Sequence, residues 1–173
     1  LDINQKILKK IPSSWEKYDV ILGEHIYLNQ IPLIKIIKYG KLAFLRNPRA
    51  IFNKGRSIRF QFDMFHGNGI LDKAIDLLSQ NDREDFKLFV KQNISFNYGN
   101  MFICKSKELM NKYYETLFPW LEKCETFLGF ELKGYESRTY GFLAERFMSY
   151  WFNKNSKVHE IPVIYHDLNK EMS

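Results

Sequence analysis

Cysteine is scarce in this chain, with two in 173 residues. Cys104 and Cys124 sit in otherwise apolar segments, with neither the close spacing of a metal knuckle nor a small disulfide-rich context. They read as buried free thiols, which favours a reducing compartment. Long hydrophobic runs are also missing, because Lys35, Lys38 and Lys41 break the longest apolar stretches before any reaches the roughly 18 to 20 residues of a membrane span. The opening Leu-Asp-Ile-Asn-Gln has no initiator Met, no basic segment and no continuous apolar core, so a processed or truncated N-terminus is expected rather than a secretory signal. Gly-x-Gly-x-x-Gly, the Walker-type loop, His-Glu-x-x-His, Gly-x-Ser-x-Gly and Cys-x-x-Cys are all absent, which removes the ordinary nucleotide-cofactor, zinc and esterase readings. No Asp-x-Asp occurs, so the chain lacks that acidic clamp for a metal diphosphate. There is no internal repeat or low-complexity tract.

Apolar material, by contrast, is ample. The chain is 45% hydrophobic and 16% aromatic, enough for one compact domain over residues 1–173. The formal charge of +6 is concentrated between Lys35 and Arg59, where Lys35, Lys38, Lys41, Arg46, Arg49, Lys54, Arg56 and Arg59 alternate with Ile36, Ile37, Leu42, Phe44, Leu45, Ile51 and Phe52. Such a segment is either the solvated face of an amphipathic stretch or a contact for an anionic membrane surface or a phosphate-bearing substrate. No RNA-recognition signature accompanies the charge, so nucleic acid is not expected as a partner.

Periodicity divides the chain into alternating elements. Ile3, Ile7, Leu8 and Ile11 predict an amphipathic helix ended by Pro12, and the run Tyr-Asp-Val-Ile-Leu at 18–22 predicts a buried strand closed by Gly23. Pro32, Gly40, Pro48 and Gly55 interrupt residues 24–57, which read as a long, partly helical excursion. Ile58, Phe60, Phe62 and Phe65 support either period before the His-Gly-Asn-Gly turn at 66–69. Two short helices follow, over 70–79 and 82–91, the second opening on Asp82 as its cap. A strand at 100–104 precedes a long helix capped by Ser106, in which Pro119 is expected to make a kink or a division. After a linker at 129–136, Ser137 opens a last helix whose inward face is Tyr140, Leu143, Ala144, Phe147, Met148 and Trp151, and residues 158–165 form a closing strand. Trp120, Phe147 and Trp151 are assigned to the core. The order strand, helices, strand, helices, strand predicts an α/β protein with a sheet covered by helices.

Several runs carry a family resemblance: Tyr-Asp-Val-Ile-Leu at 18–22, Gln-Phe-Asp-Met-Phe-His at 61–66, Asn-Met-Phe-Ile at 100–103, Ile-Pro-Val-Ile at 161–164 and, most specifically, Arg-Thr-Tyr-Gly-Phe-Leu-Ala-Glu-Arg at 138–146. Together they resemble the C-terminal portion of a bacterial glycosyltransferase family of capsular polysaccharide and exopolysaccharide biosynthesis, formerly a domain of unknown function. The resemblance implies a GT-A-like mixed sheet flanked by helices, a nucleotide-sugar donor, and a capsular or lipid-linked glycan as acceptor. It also implies a cytoplasmic protein working at the inner membrane face. In that family a donor-binding half bearing His-Tyr-Arg-Arg precedes the strand at Tyr18, and this chain lacks the motif, so it corresponds to the acceptor-side part. A non-catalytic glycan-binding or assembly module of the same fold is the alternative.

Transfer with inversion needs a carboxylate to accept the acceptor hydroxyl's proton and a cation near the leaving diphosphate. Glu145 is the candidate base. Arg138, seven residues earlier and so on the same helical face, and Arg146 beside it are candidates for holding phosphate or orienting the carboxylate. A structural ion pair is the competing explanation for the same residues. Asp63 and His66, three apart before a glycine turn, offer acceptor or metal contact on one side and capping or core hydrogen bonds on the other. Asn100 with Tyr98 could present an amide and a ring to a sugar, or Asn100 could satisfy a turn. His166 either reaches a donor-site metal or lies in an exposed tail. The cofactor is left open, with a divalent metal such as Mg or Mn as the class to consider.

Overall fold

A computed structural model of the chain describes residues 10–129 and 138–164. Ile3, Ile7 and Leu8 of the expected first helix, most of the 129–136 linker, Ser137 and His166 lie outside the described residues. The architecture is helix-rich α/β with small mixed sheets. Strand β1 (Val20–Gly23) is central, pairing antiparallel with β4 (Phe102–Cys104) and parallel with β5 (Val158–Ile161). Val20, Ile21 and Leu22 are all buried, as a central strand covered on both faces requires. A second, antiparallel pair joins β2 (His25–Tyr27) to β3 (Ser95–Asn97), with His25 opposite Asn97.

The 24–57 excursion contains β2, two short helices, α1 (Leu33–Tyr39) and α2 (Lys41–Arg46), and single 3-10 turns at Pro48–Ile51 and Asn53–Gly55. Arg56, one of the eight cations of the basic segment, is buried and donates to the carbonyls of Asn29 at 3.1 Å and Ile31 at 3.0 Å, tying this excursion together. Helix α3 (Ile58–His66) starts on Ser57, whose hydroxyl accepts the Phe60 N–H. It is buried on two sides: Phe62 enters the main core, while Phe60 and Met64 join a smaller cluster with Ile36, Ala43 and Ala50. Double-sided burial is why residues 58–65 fit either period.

Helices α4 (Ile70–Asp76) and α5 (Gln80–Gln92) form the hairpin, but Asp82 does not cap α5. That helix begins two residues earlier, after Ser79, and the Asp82 carboxylate instead accepts the Tyr150 hydroxyl at 3.0 Å and the Lys154 ammonium at 3.2 Å. Ser106 does cap α6 (Lys107–Leu128), accepting the Leu109 N–H, and Pro119 does not divide it. Packing of Leu117, Trp120 and Cys124 on both sides of the proline holds the helix continuous, at the cost of one backbone hydrogen bond. Cys124 is buried, and desolvation pushes its thiol up to about 12; Cys104 is only half-buried.

Helix α7 (Thr139–Asn155) is the axis of the molecule. Every residue from Leu143 to Phe152 is buried, so this is not a helix with one inward stripe and one exposed polar face. Trp120, Phe147 and Trp151 are core, with Phe86 meeting Phe147 edge-on at 5.3 Å and Trp120 at 6.0 Å. Polar residues on α7 must therefore find partners inside the protein. Ser149 does so through Asn97, which is wholly buried: Asn97 donates to the Gly23 carbonyl and to Glu160, and accepts from Ser149 and Asn153. One amide thus joins β1, β3, β5 and α7.

Candidate functional site

The same rule places Glu145 and Arg146. Both carry buried side chains on α7, 10% and 2% exposed, and both reach the wall of a cleft of about 690 Å³. Three elements form this cleft. Helix α7 presents Arg138, Gly141, Phe142, Glu145 and Arg146; α3 presents Gln61, Phe65 and His66; and the segment around the β3–β4 connection presents Phe96, Tyr98, Gly99, Asn100 and Met101, with Ile26 of β2 beside them. Residues 138, 141/142 and 145 recur at helical spacing, so one stripe of α7 faces the opening while Leu143 and Ala144, between them, enter the core.

Glu145 is fixed at both oxygens. Its Oε1 accepts the Gly99 N–H at 2.7 Å, and its Oε2 pairs with Arg146 Nη1. Gly99 can offer its N–H there because it adopts a positive φ of 80°, a backbone region that favours glycine. Arg146 also donates to the Phe142 carbonyl at 3.1 Å and to Gln61 Oε1 at 2.8 Å, and its guanidinium lies 4.5 Å from the Phe96 ring centre. It also lies 3.3 Å from His66 Nε2. A guanidinium can only donate, so that nitrogen accepts and the imidazole proton sits on Nδ1. Burial and, second, the Arg146 charge drive His66 down to about 3, so the ring is neutral across the physiological range. It stacks on Phe142 with centres 3.9 Å apart.

Of the residues singled out in the sequence, Arg138, Asn100, Tyr98, His66, Glu145 and Arg146 all line the cleft. Asn100 is exposed and donates to the Gly141 carbonyl at 2.9 Å, so it both closes a turn onto α7 and stands at the opening. Arg138 is exposed at the start of α7, its guanidinium 5.5 Å from the Phe142 ring centre. Asp63 is the exception. It does not share the side of His66: it is buried behind α3, where Oδ1 accepts the Gly69 N–H at 2.8 Å and Oδ2 accepts Asn47 Nδ2 at 3.0 Å. At an i,i+3 spacing near the helix end, the Gly67–Gly69 turn folds back onto Asp63 and leaves only His66 on the cleft. Gln61, Phe65 and Gly99 were not anticipated, although Gln61 and Phe65, four apart, would have marked that face of α3.

A family model described as a domain of unknown function, DUF4422, matches residues 9–156. The chain belongs to the DUF4422 family. No curated protein and no solved structure matches it. The matched span encloses every residue lining the cleft, so the pocket belongs to the DUF4422 domain itself.

A divalent metal does not fit this donor set. Glu145 is the only carboxylate among the described residues lining the cleft, and both its oxygens are engaged by Gly99 and Arg146. Among the described residues no group of three or more His, Cys, Asp or Glu side chains is placed to hold an ion. What the arrangement offers instead is a fixed carboxylate, an exposed cation, exposed amide and phenol groups and a ring-lined floor. Those are the groups that recognise a polyhydroxylated ligand carrying negative charge.

Proposed function

We propose that this DUF4422 chain is the acceptor-side part of a GT-A-like glycosyltransferase, moving a sugar from a nucleotide-sugar donor to a capsular or lipid-linked glycan. The observation that carries this reading is the carboxylate of Glu145, the only one among the described residues lining the cleft, held at its ring-lined wall with Arg138 exposed two helical turns away. In such a transfer the acceptor hydroxyl oxygen attacks the donor's anomeric carbon, its proton passes to Glu145, and the carbon–oxygen bond to phosphate breaks. The nucleoside diphosphate departs with the electron pair. A carboxylate oxygen has two lone pairs, so Oε1 retains one after accepting the Gly99 N–H. Arg138 is suited to the phosphates, and Tyr98, Phe142 and Asn100 to the acceptor sugar's apolar face and hydroxyls. Arg146, buried and multiply bonded, orients the carboxylate and does not itself reach phosphate. Neutral His66 supports the Phe142 ring. The reading carries with it a cytoplasmic protein acting at the inner membrane face.

One observation favours a second reading, a non-catalytic glycan-binding or assembly module: both Glu145 oxygens already have partners, the Gly99 N–H and Arg146, a fixed arrangement that suits holding a hydroxyl by a hydrogen bond. Glycan elongation separates the two. The full-length gene product is incubated with a panel of nucleotide sugars and a capsular oligosaccharide, and mass spectrometry reads the glycan. Elongation with release of nucleoside diphosphate is expected for the transferase, and Arg138→Gln should raise the donor KM about tenfold or more. Retention of the oligosaccharide with no donor turnover would assign the module.

A further inference from the structure

Residues 25–62 contain eight Lys and Arg and no Asp or Glu. The structure divides the eight. Arg46 and Arg59 pair with Asp72, and Arg56 is buried against backbone carbonyls. The other five, Lys35, Lys38, Lys41, Arg49 and Lys54, are exposed and form no ion pair among the described residues. Between them stand six large apolar side chains in water: Ile34, Ile37, Leu42, Leu45, Ile51 and Phe52, with Leu45 80% and Ile34 76% exposed. Scattered exposed apolar residues are ordinary; six within 19 positions of one cationic segment are not.

The packing explains why they point outward together. Each short element sends a buried residue inward against Phe60 of α3: Ile36 from α1, Ala43 from α2 and Ala50 from the following turn, spaced seven apart, with half-buried Phe44 of α2 packed beside them. With so narrow an inward side on each element, the exposed apolar positions fall on the opposite side, where Ile34 and Ile37, like Leu42 and Leu45, are i,i+3 neighbours. Gly40 lets α2 follow α1 this tightly, since a Cβ there would lie 2.6 Å from the Ile36 carbonyl oxygen. The result is a thin layer over α3, apolar and cationic on its outer surface.

We propose that this layer seats on the surface of an anionic phospholipid bilayer, with the six apolar side chains at the headgroup–acyl boundary and the five cations on lipid phosphates. Charge complementarity decides the occupant. A second copy of the same surface would set cation against cation, and RNA would find aliphatic side chains at five of the six apolar positions, where it needs planar rings to stack on. A bilayer takes both classes at once, because Lys stems lie along the apolar surface while their ammonium groups reach phosphate. No helix among the described residues is long and apolar enough to cross a membrane. The proposal is independent of the sugar-transfer reading.

Vesicle flotation of the purified chain tests it. Binding is expected to phosphatidylcholine vesicles carrying about 30 mol % phosphatidylglycerol and to be at least about tenfold weaker without it, and about 0.5 M salt should weaken it. Lys35→Gln, Lys38→Gln and Lys41→Gln together should lower affinity about a hundredfold, at about fivefold per cation. Leu42→Gln with Leu45→Gln should also release the chain from the anionic vesicles, with circular dichroism unchanged because both side chains are exposed. Equal binding to the two vesicle types, or to neither, overturns the proposal. So does a dimer by light scattering that Leu45→Gln dissociates, or binding to single-stranded RNA that outcompetes the anionic vesicles.

Discussion

Replacing Arg146 by methionine keeps the stem and removes the guanidinium. That group is 2% exposed and makes the Glu145 pair, donates to the Phe142 carbonyl and to Gln61, and lies against the Phe96 ring. Without it the Glu145 carboxylate stays buried with the Gly99 N–H as its remaining hydrogen bond of those described above. Breaking a buried pair by removing one partner costs about 3–5 kcal/mol, and because the orphaned groups share one network a net loss of about 4 kcal/mol is expected rather than a sum. For a chain of this size each kcal/mol lowers Tm by about 2–4 °C, so calorimetry should show a fall of about 8–16 °C. Adding Glu145→Gln removes the stranded charge, and the double variant should recover about 1–3 kcal/mol relative to Arg146→Met alone. An Arg146→Met protein within about 1 kcal/mol of the parent, or a double variant with purely additive losses, would refute this account of how Glu145 is held.

Other expectations follow from the same geometry. His66 should show no NMR titration between about pH 8 and 5, because its folded value is near 3 against 6.5 in the unfolded chain. Below about pH 6.5 only the unfolded state takes up that proton, so its contribution to stability is complete above pH 6.5 and declines as pH falls toward 3, by at most about 1.4 kcal/mol per pH unit. In Arg146→Met the His66 midpoint should move upward, with burial still holding it below 6.5; an unmoved midpoint would show that the arginine charge is irrelevant to it. Asn97→Ala strips one amide from four partners and should cost about 2–4 kcal/mol in urea unfolding. Asp63→Asn should lose about 1–3 kcal/mol through the Gly69 and Asn47 contacts while leaving oligosaccharide binding by the cleft unchanged. A selective loss of binding would return Asp63 to the site.

Much of the scaffold was legible in the sequence because burial on one face leaves a period. The strand at Val20, the long Ser106-capped helix and the Trp120, Phe147 and Trp151 core all declare themselves in this way. The pair β2 and β3 was not legible, since three-residue strands are too short to alternate visibly. The side of α7 carrying Glu145 was expected to be polar and distinct from the core, whereas burial on every side turned it inward onto Gly99 and Gln61. Those partnerships join Glu145 to Gly99, 46 positions away, and Arg146 to Gln61, 85 positions away, and no local pattern encodes them. The residues of the Arg-x-x-Gly-Phe-x-x-Glu-Arg spacing nevertheless line one cleft together, because one helical stretch supplies all of them. Asp63 was misplaced for the converse reason: a glycine turn, not the helix, determines what lies beside it.

Turnover by Glu145→Gln tests the central claim most directly. In the full-length gene product this change keeps the shape of the side chain and an oxygen for the Gly99 N–H, but it cannot accept a proton. The account predicts that kcat for sugar transfer falls about 10²–10⁴-fold while acceptor KM changes little and the protein stays folded. Full transfer activity in that variant would contradict it.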